Sequence, residues 1–289
     1  MFDSEEIKNK QILVLGSNGF LGRNICTHLK SFGFEVYGLS RNENESNPNE
    51  ISLTALIKNY KKYNFSTAIF CGNPPVTINE EAYFKETFFA DIEKAKIFKN
   101  LGFNQIIWTG SYWQDLVEQG FQNETLYTKS KRLTEQSILA LAQDSFHVTS
   151  IRIGDTYGPG DSRKKIIPEM IRAVEVKRLF TIREPNSQLN LVFIDDVARG
   201  FGMVFNTLNT SQAVYSIYAD SLISIKDLID EFQKVFPKFN YKLEKIRQTP
   251  EVKVHFDVRV YPRPVNWSPK ISLKQGLDNL KMIDFNSTS

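Results

Sequence analysis

The chain has 289 residues, 41% of them apolar and 24% charged, with a formal net charge of +3 at pH 7. This is ordinary globular composition, and the length suffices for one large domain, or a large and a small one, around a sizeable core. So small a positive charge, with no arginine-rich arm, argues against a nucleic-acid partner, although a local basic patch for an anionic substrate is compatible with it.

Strand-like runs alternate with helical patterns through the first half. Gln11–Leu15 reads as a buried strand, 18–32 as a helix, Glu35–Leu39 as a strand, Leu53–Tyr63 as a helix and Thr67–Cys71 as a strand. A long helical pattern over 80–100 follows, then a strand over 105–111, a helix over 124–143 and a strand over 148–153. Continuous apolar strands alternating with helices predict an α/β fold: a Rossmann-type, doubly wound parallel sheet covered on both faces. An Asn/Glu-rich loop leaves only Ile51-Ser52-Leu53 for a third strand, which is expected to be reduced or lost.

Beyond a Gly/Pro/Asp-rich loop at 154–163 the pattern is less regular. Helices are expected at 166–176, 195–206, 225–236 and 273–282, and strands at 179–182 and 213–218. This mixture predicts a small α+β C-terminal substrate lobe. The expected division is a dinucleotide domain over 1–154, which also receives about 191–217, and a lobe made of 155–190 and 218–289.

Cys26 and Cys71 lie in apolar runs and read as small buried side chains of a reduced, cytoplasmic protein. The scattered histidines (His28, His147, His255) form no ligand grouping, so no metal site is expected. The acidic opening Met1-Phe2-Asp3-Ser4-Glu5-Glu6 does not read as a signal peptide. No apolar stretch approaches the roughly 20 residues of a membrane span, and no membrane association is expected.

Three sequence features carry chemistry. The first is Gly16-Ser17-Asn18-Gly19-Phe20-Leu21-Gly22, which follows a strand and opens a helix. Gly16 permits the tight turn, Gly19 a close backbone approach to a pyrophosphate, and Gly22 close helix–strand packing, with the helix N-terminus facing the phosphates. Cofactor choice is set at the end of the second strand, where an acid would hold the ribose of NAD. Here stand Ser40 and Arg41, suited to the extra phosphate of NADP, although Arg41 can equally stack on adenine or face solvent. NADP(H) is therefore expected over NAD(H).

The second feature is Ser111 at the end of the fifth strand, where a hydroxyl can hydrogen-bond a reacting oxygen; Thr109 is the competing choice. The third is Tyr127 with Lys131, four residues apart on one helix face. A phenol near pKa 10 is a poor proton donor or acceptor at neutral pH, and a neighbouring ammonium stabilises its ionised form. Asp195-Asp196 reads as the cap of the following helix.

With these residues, the chain resembles the extended short-chain dehydrogenases/reductases, in the sugar-nucleotide NAD(P)-dependent epimerase/dehydratase/reductase group. Asp155-Thr156-Tyr157-Gly158-Pro159-Gly160-Asp161 with Arg163, Phe193-Ile194-Asp195-Asp196-Val197 and Pro269-Lys270-Ile271-Ser272-Leu273 extend the likeness over nearly the whole chain. Thr109-Gly110-Ser111-Tyr112-Trp113-Gln114, with its short path to Tyr127, resembles reductases of CDP- or dTDP-4-keto-6-deoxyhexoses.

The resemblance implies that Ser111, Tyr127 and Lys131 are catalytic, with Lys131 also holding the nicotinamide ribose. Gly16, Asn18, Gly19, Phe20, Leu21, Gly22, Ser40, Arg41 and Cys71 would line the cofactor. Tyr112, Trp113, Asp155, Thr156, Arg163, Arg259 and Arg263 would meet a nucleotide-sugar substrate, the arginines at its diphosphate or, equally, in solvent. Dimerisation through the helices at 80–100 and 124–143, and a place in surface-polysaccharide sugar synthesis, are implied as well.

Tyr112 and Trp113 after Ser111 leave no acid–base pair for water elimination. A single-hydride 4-ketoreductase is expected over an NAD-dependent 4-epimerase, with a non-catalytic dinucleotide-binding protein as the third option.

Overall fold

Apolar residues dominate the strands of the first half, and the computed structural model, which describes residues 11–40, 47, 49–72, 79–205, 213–244 and 260–286, shows how they are used. The elements run β1 (Gln11–Leu15), α1 (Phe20–Ser31), β2 (Glu35–Ser40), β3 (Glu50–Ser52), α2 (Leu53–Asn59), β4 (Phe65–Phe70), α3 (Glu80–Phe84), α4 (Ala90–Asn100), β5 (Gln105–Ser111), α5 (Tyr112–Glu118), α6 (Leu126–Leu139) and β6 (His147–Ile153). They continue with β7 (Asp155–Tyr157), α7 (Ile166–Glu175), β8 (Phe180–Ile182), β9 (Gln188–Leu189), β10 (Leu191–Phe193), α8 (Ile194–Val204), β11 (Val214–Ile217), β12 (Ile223–Ser224), α9 (Ile225–Val235), β13 (Tyr241–Leu243) and α10 (Leu273–Asn286).

The central sheet has seven strands in the order β11-β6-β5-β4-β1-β2-β3, every neighbouring pair parallel. This is the doubly wound Rossmann-type arrangement. Strands β4 and β5 are buried at every residue, as helices on both faces require. The third strand survives as three residues paired with β2, so it is reduced rather than lost. Ser52 ends it and caps α2, its hydroxyl accepting from the Ala55 N–H at 3.1 Å. One core cluster runs under the sheet through Leu13, Phe70, Phe98, Phe103, Ile106 and Trp108.

The helix expected over 80–100 is not uniform. Lys85–Phe89 between α3 and α4 is a π-helical turn. At its centre the Thr87 hydroxyl lies 2.7 Å from both the Tyr83 carbonyl and the Ser130 hydroxyl of α6, a side-chain alternative to the regular ladder.

Contacts divide the chain into two units: residues 1–153, 198–217 and 259–267 form one, and 154–197, 218–258 and 268–289 the other. Residues 259–267 join the first because its edge strand holds them: the Ser216 N–H donates to the Pro262 carbonyl at 2.9 Å, and its hydroxyl to that of Tyr261 at 2.8 Å. Residues 191–193 pair with β7 in the second unit. That unit is a small α+β lobe of short two-stranded sheets (β10-β7, β12-β9 and β13-β8) and helices. Its Asp196 is not the expected helix cap. Helix α8 starts at Ile194, and Asp196 Oδ2 accepts the backbone N–H groups of Lys270 and Ile271, each at 2.9 Å, fastening the Pro269-Lys270-Ile271 segment.

Candidate active site

In the strand order, β1 lies between β2 and β4, so the order of connection switches sides there, the position at which open parallel sheets take their ligands at the carboxyl ends of the strands. Glycines occupy both sides of it. Gly16, after β1, has φ +75°, and a Cβ on it would stand 2.6 Å from the Cα of Gly72, just after β4. A Cβ on Gly22 would stand 2.1 Å from the Gly16 carbonyl oxygen. The turn is tied by the Gly19 N–H to the Gly16 carbonyl at 2.9 Å, and α1 then opens with no side-chain cap and no acid in its first turn. A helix N-terminus without a side-chain cap or a nearby acid turns its positive dipole end to a phosphate, so the residues fit a bound dinucleotide. Phe20, Leu21 and Gly22 face the core and hold the helix at that angle.

An acid unforeseen from the sequence stands at this turn. The Glu50 carboxylate, at the start of β3, accepts from the Asn18 side-chain amide at 3.0 Å. Its register partner on β2 is Gly38, two residues short of Ser40. Arg41 lies outside the described residues.

Ser111 closes β5 and begins α5, a short helix absent from the sequence-based expectation. Its hydroxyl accepts the Trp113 N–H at 3.3 Å, while the Gln114 side chain accepts the Ser111 N–H at 2.9 Å. Ser-x-x-Gln is a capping-box signature, which was the available signal for α5. Tyr112 is 1% exposed, edge-on to the half-buried Trp113, which leaves Trp113 the more accessible of the two. Tyr127 opens the first turn of α6, one turn before Lys131. The Lys131 ammonium, 7% exposed as a residue, donates to the Thr109 carbonyl at 2.8 Å and sits 4.5 Å over the Trp108 ring. The structure thus brings Lys131 to β5, whose last residue is Ser111.

Two charged systems lie behind these groups. Burial lowers the Lys131 ammonium to about 8, against the opposing charge of Asp91 on α4. Burial raises the Asp91 carboxyl to about 6, against the opposing charge of Lys131, and the Trp108 indole N–H points at its Oδ2 from 3.4 Å. Burial likewise pushes up the thiol of Cys71, whose N–H continues the β1–β4 ladder to the Leu15 carbonyl at 3.0 Å. Both cysteines are free.

The second system centres on Arg152 of β6, which is 3% exposed. It binds Asp115, both carboxylate oxygens of Glu118 at 2.7 and 2.9 Å, and Glu135 of α6 through its Nε at 3.1 Å. Burial alone would lower its pKa, but the hydrogen bonds to Glu135 and Glu118, with the charges of Glu135 and Asp115, together outweigh burial and raise it. Glu135 also accepts from the Gln114 amide at 3.1 Å, which joins this cluster to the Ser111 turn.

In the second unit Asp155 and Thr156 lie on β7, the Thr156 hydroxyl donating to the Gly154 carbonyl at 3.2 Å. The Arg163 guanidinium folds back, with its Nε 2.8 Å from Asp161 and an Nη 2.6 Å from the Thr156 carbonyl, bracing the 155–163 loop. In the first unit Arg263 lies 5.3 Å over the Trp267 ring. Arg259 falls outside the described residues. Among the described residues no acidic, histidine or cysteine grouping suits a metal ion, and no helix is long and apolar enough to cross a membrane.

A sequence profile of the NAD dependent epimerase/dehydratase family matches residues 12–89 and 109–217. Among curated proteins, the chain is 23% identical over 238 residues to a CDP-abequose synthase of Yersinia pseudotuberculosis, covering 76% of this chain and 82% of that protein. It is also 23% identical over 227 residues to a decarboxylating sterol-4-alpha-carboxylate 3-dehydrogenase of Bos taurus, covering 72% of this chain and 63% of that protein. Among solved structures, MoeE5 in complex with UDP-glucuronic acid and NAD shares the fold, with a TM-score of 0.78 at 18% identity over 96% of this chain and 99% of that one.

Proposed function

The chain belongs to the NAD dependent epimerase/dehydratase family, and from that premise we propose that it is an NADPH-dependent 4-ketoreductase of a nucleotide-activated (CDP-, dTDP- or GDP-linked) 4-keto-6-deoxy sugar. The observation that carries the reading is Lys131 seated dry on the Thr109 carbonyl, two residues before Ser111, with Tyr127 one turn away on the same helix. A dinucleotide held at the Gly16–Gly22 turn would supply the hydride that the sugar C4 receives. Ser111 orients the ketone by donating its hydroxyl proton in a hydrogen bond to the ketone oxygen. Tyr127 transfers its phenolic proton to that oxygen as it becomes an alkoxide, leaving a phenolate. The Lys131 ammonium stabilises this phenolate, which is then reprotonated from solvent.

Elimination finds no support here, because the first carboxylate after Ser111 is Asp115, bound to Arg152. The curated relative named a CDP-abequose synthase favours a CDP-linked sugar. Asp155, Thr156 and Arg163 are assigned to the nucleotide sugar, and the 80–100 and 124–143 helices, with Phe89 61% exposed, to a homodimer contact. The cytoplasm is the assigned compartment.

Glu50 favours a second reading. A carboxylate at the glycine turn suits ribose hydroxyls and opposes a 2′-phosphate, which points to retained NAD and a 4-epimerase. The deciding experiment offers purified protein NADPH or NADH with a panel of CDP-, dTDP- and GDP-4-keto-6-deoxyhexoses and follows cofactor oxidation. Stoichiometric NADPH oxidation with one sugar is expected. Absence of oxidation with every sugar, together with NAD that co-purifies with the protein, would replace the reductase by the epimerase.

A further inference from the structure

The Lys131 side chain is enclosed by four elements. Helix α6 carries it, β5 supplies the Thr109 carbonyl and the Trp108 ring, the residues after β4 supply Cys71, and α4 supplies Asp91. An ammonium so enclosed needs a counter-charge to stay protonated. Glu135, one turn further along α6, is already bound to Arg152, Gln114 and Ser150. Asp91 differs. Its carboxylate accepts the indole N–H of Trp108, and the face of that same indole lies under the Lys131 ammonium. One ring therefore fixes both charges, the cation over its negative face and the anion at its positive edge.

We propose that Asp91 is a positioning residue that acts through Lys131: with Trp108 as the spacer, its half-buried carboxylate is the counter-charge that keeps the lysine protonated and seated on the Thr109 carbonyl. The proposal rests on the reading of Lys131 as the lysine that serves Tyr127. The charged and titratable groups facing the pair are Lys94 on α4, Cys71 after β4 with Cys26 of α1 behind it, and Glu135 on α6. Burial sets the Asp91 carboxyl at about 6 and the Lys131 ammonium at about 8, so both are charged between those values. Within that window Lys131 can stabilise the phenolate of Tyr127. Above it the lysine is neutral and that support is gone.

The test uses the full chain enriched with 13C at lysine Cε, with the Lys131 resonance identified by its loss in Lys131→Met and its midpoint read by NMR titration. Asp91→Asn keeps an oxygen for the Trp108 N–H and removes the charge. It should move the Lys131 midpoint from about 8 downward by at least about one pH unit, a tenfold change in protonation. Trp108→Phe removes the N–H that holds Asp91 and should move it the same way by less, which keeps the proposal testable if Asp91→Asn does not fold. An unchanged midpoint in a folded Asp91→Asn protein overturns the proposal. The underlying reading is checked separately: Lys131→Met that retains full hydride transfer would remove Lys131 from catalysis, whatever the titration shows.

Discussion

Lys131 and Glu135 stand one turn apart on α6, and each meets a charge of opposite sign on different terms. Glu135 meets Arg152, a cation bound by three carboxylates, two of them buried, whose proton is held more firmly than in water. Lys131 meets a carbonyl, a ring face and one carboxylate across an indole, and its proton is held less firmly than in water. The first arrangement is a permanent fixture: no accessible pH deprotonates Arg152, and it ties α5, α6 and β6 together behind the Ser111 turn. The second is poised to titrate near neutrality. One helix thus supplies both an anchor and an adjustable charge, and the number of direct hydrogen-bonded carboxylates decides which is which.

The comparison breaks most directly through catalysis. Under the proposed mechanism Tyr127→Phe removes the transferred proton, and turnover should fall by on the order of 10²–10⁴ while sugar-nucleotide and dinucleotide binding persist in calorimetry. Unchanged turnover would remove Tyr127 from the chemistry. On the anchor side, Arg152→Met leaves Asp115 and Glu135 buried without their cation, and urea unfolding should show a loss of roughly 3–5 kcal/mol. If stability held, the carboxylates would have to be neutral or reached by water. Pairing Arg152→Met with Glu135→Gln should recover part of the loss, as expected for groups that share one network.

The pH dependence sharpens the contrast with a smaller effect. The folded-state pKa of Asp91 is raised, so its neutral form adds stability that is full below the ordinary carboxylate range and lost as pH climbs through about 6. The folded-state pKa of Lys131 is lowered, so the unfolded chain binds the extra proton between about 8 and its ordinary value, and stability rises with pH across that window. Melting temperature scanned against pH should show both slopes, and Asp91→Asn should abolish the acid-side one. A flat acid side in the parent chain would mean that the Asp91 carboxyl is hydrated.

Local spacing carried much of this to the sequence level. The strand–helix alternation, the glycine turn after β1 and the Tyr127/Lys131 pair on α6 all lie within single elements or adjacent ones, where periodicity and loop chemistry act. Asp91 was invisible because its partners come from α4, β5 and α6, and nothing in its own neighbourhood marks it apart from other acids on a helix. Glu50 was missed for a related reason: it opens a strand of three residues, too short for period-two alternation to emerge. Helix α5 was missable only by neglect of its capping box, since aromatic residues directly after Ser111 mask a helix of seven residues. Asp196 shows the opposite error, a local rule applied where the side chain serves a distant segment.

Trp108 touches both members of the adjustable pair and is one of three tryptophans in the chain, beside Trp113 and Trp267. Indole emission responds to nearby charge, so with the other two replaced by phenylalanine this residue becomes a built-in optical reporter of its own surroundings. The charge state of the Asp91–Lys131 pair can then be watched in real time, without label, as a dinucleotide or a nucleotide sugar is added.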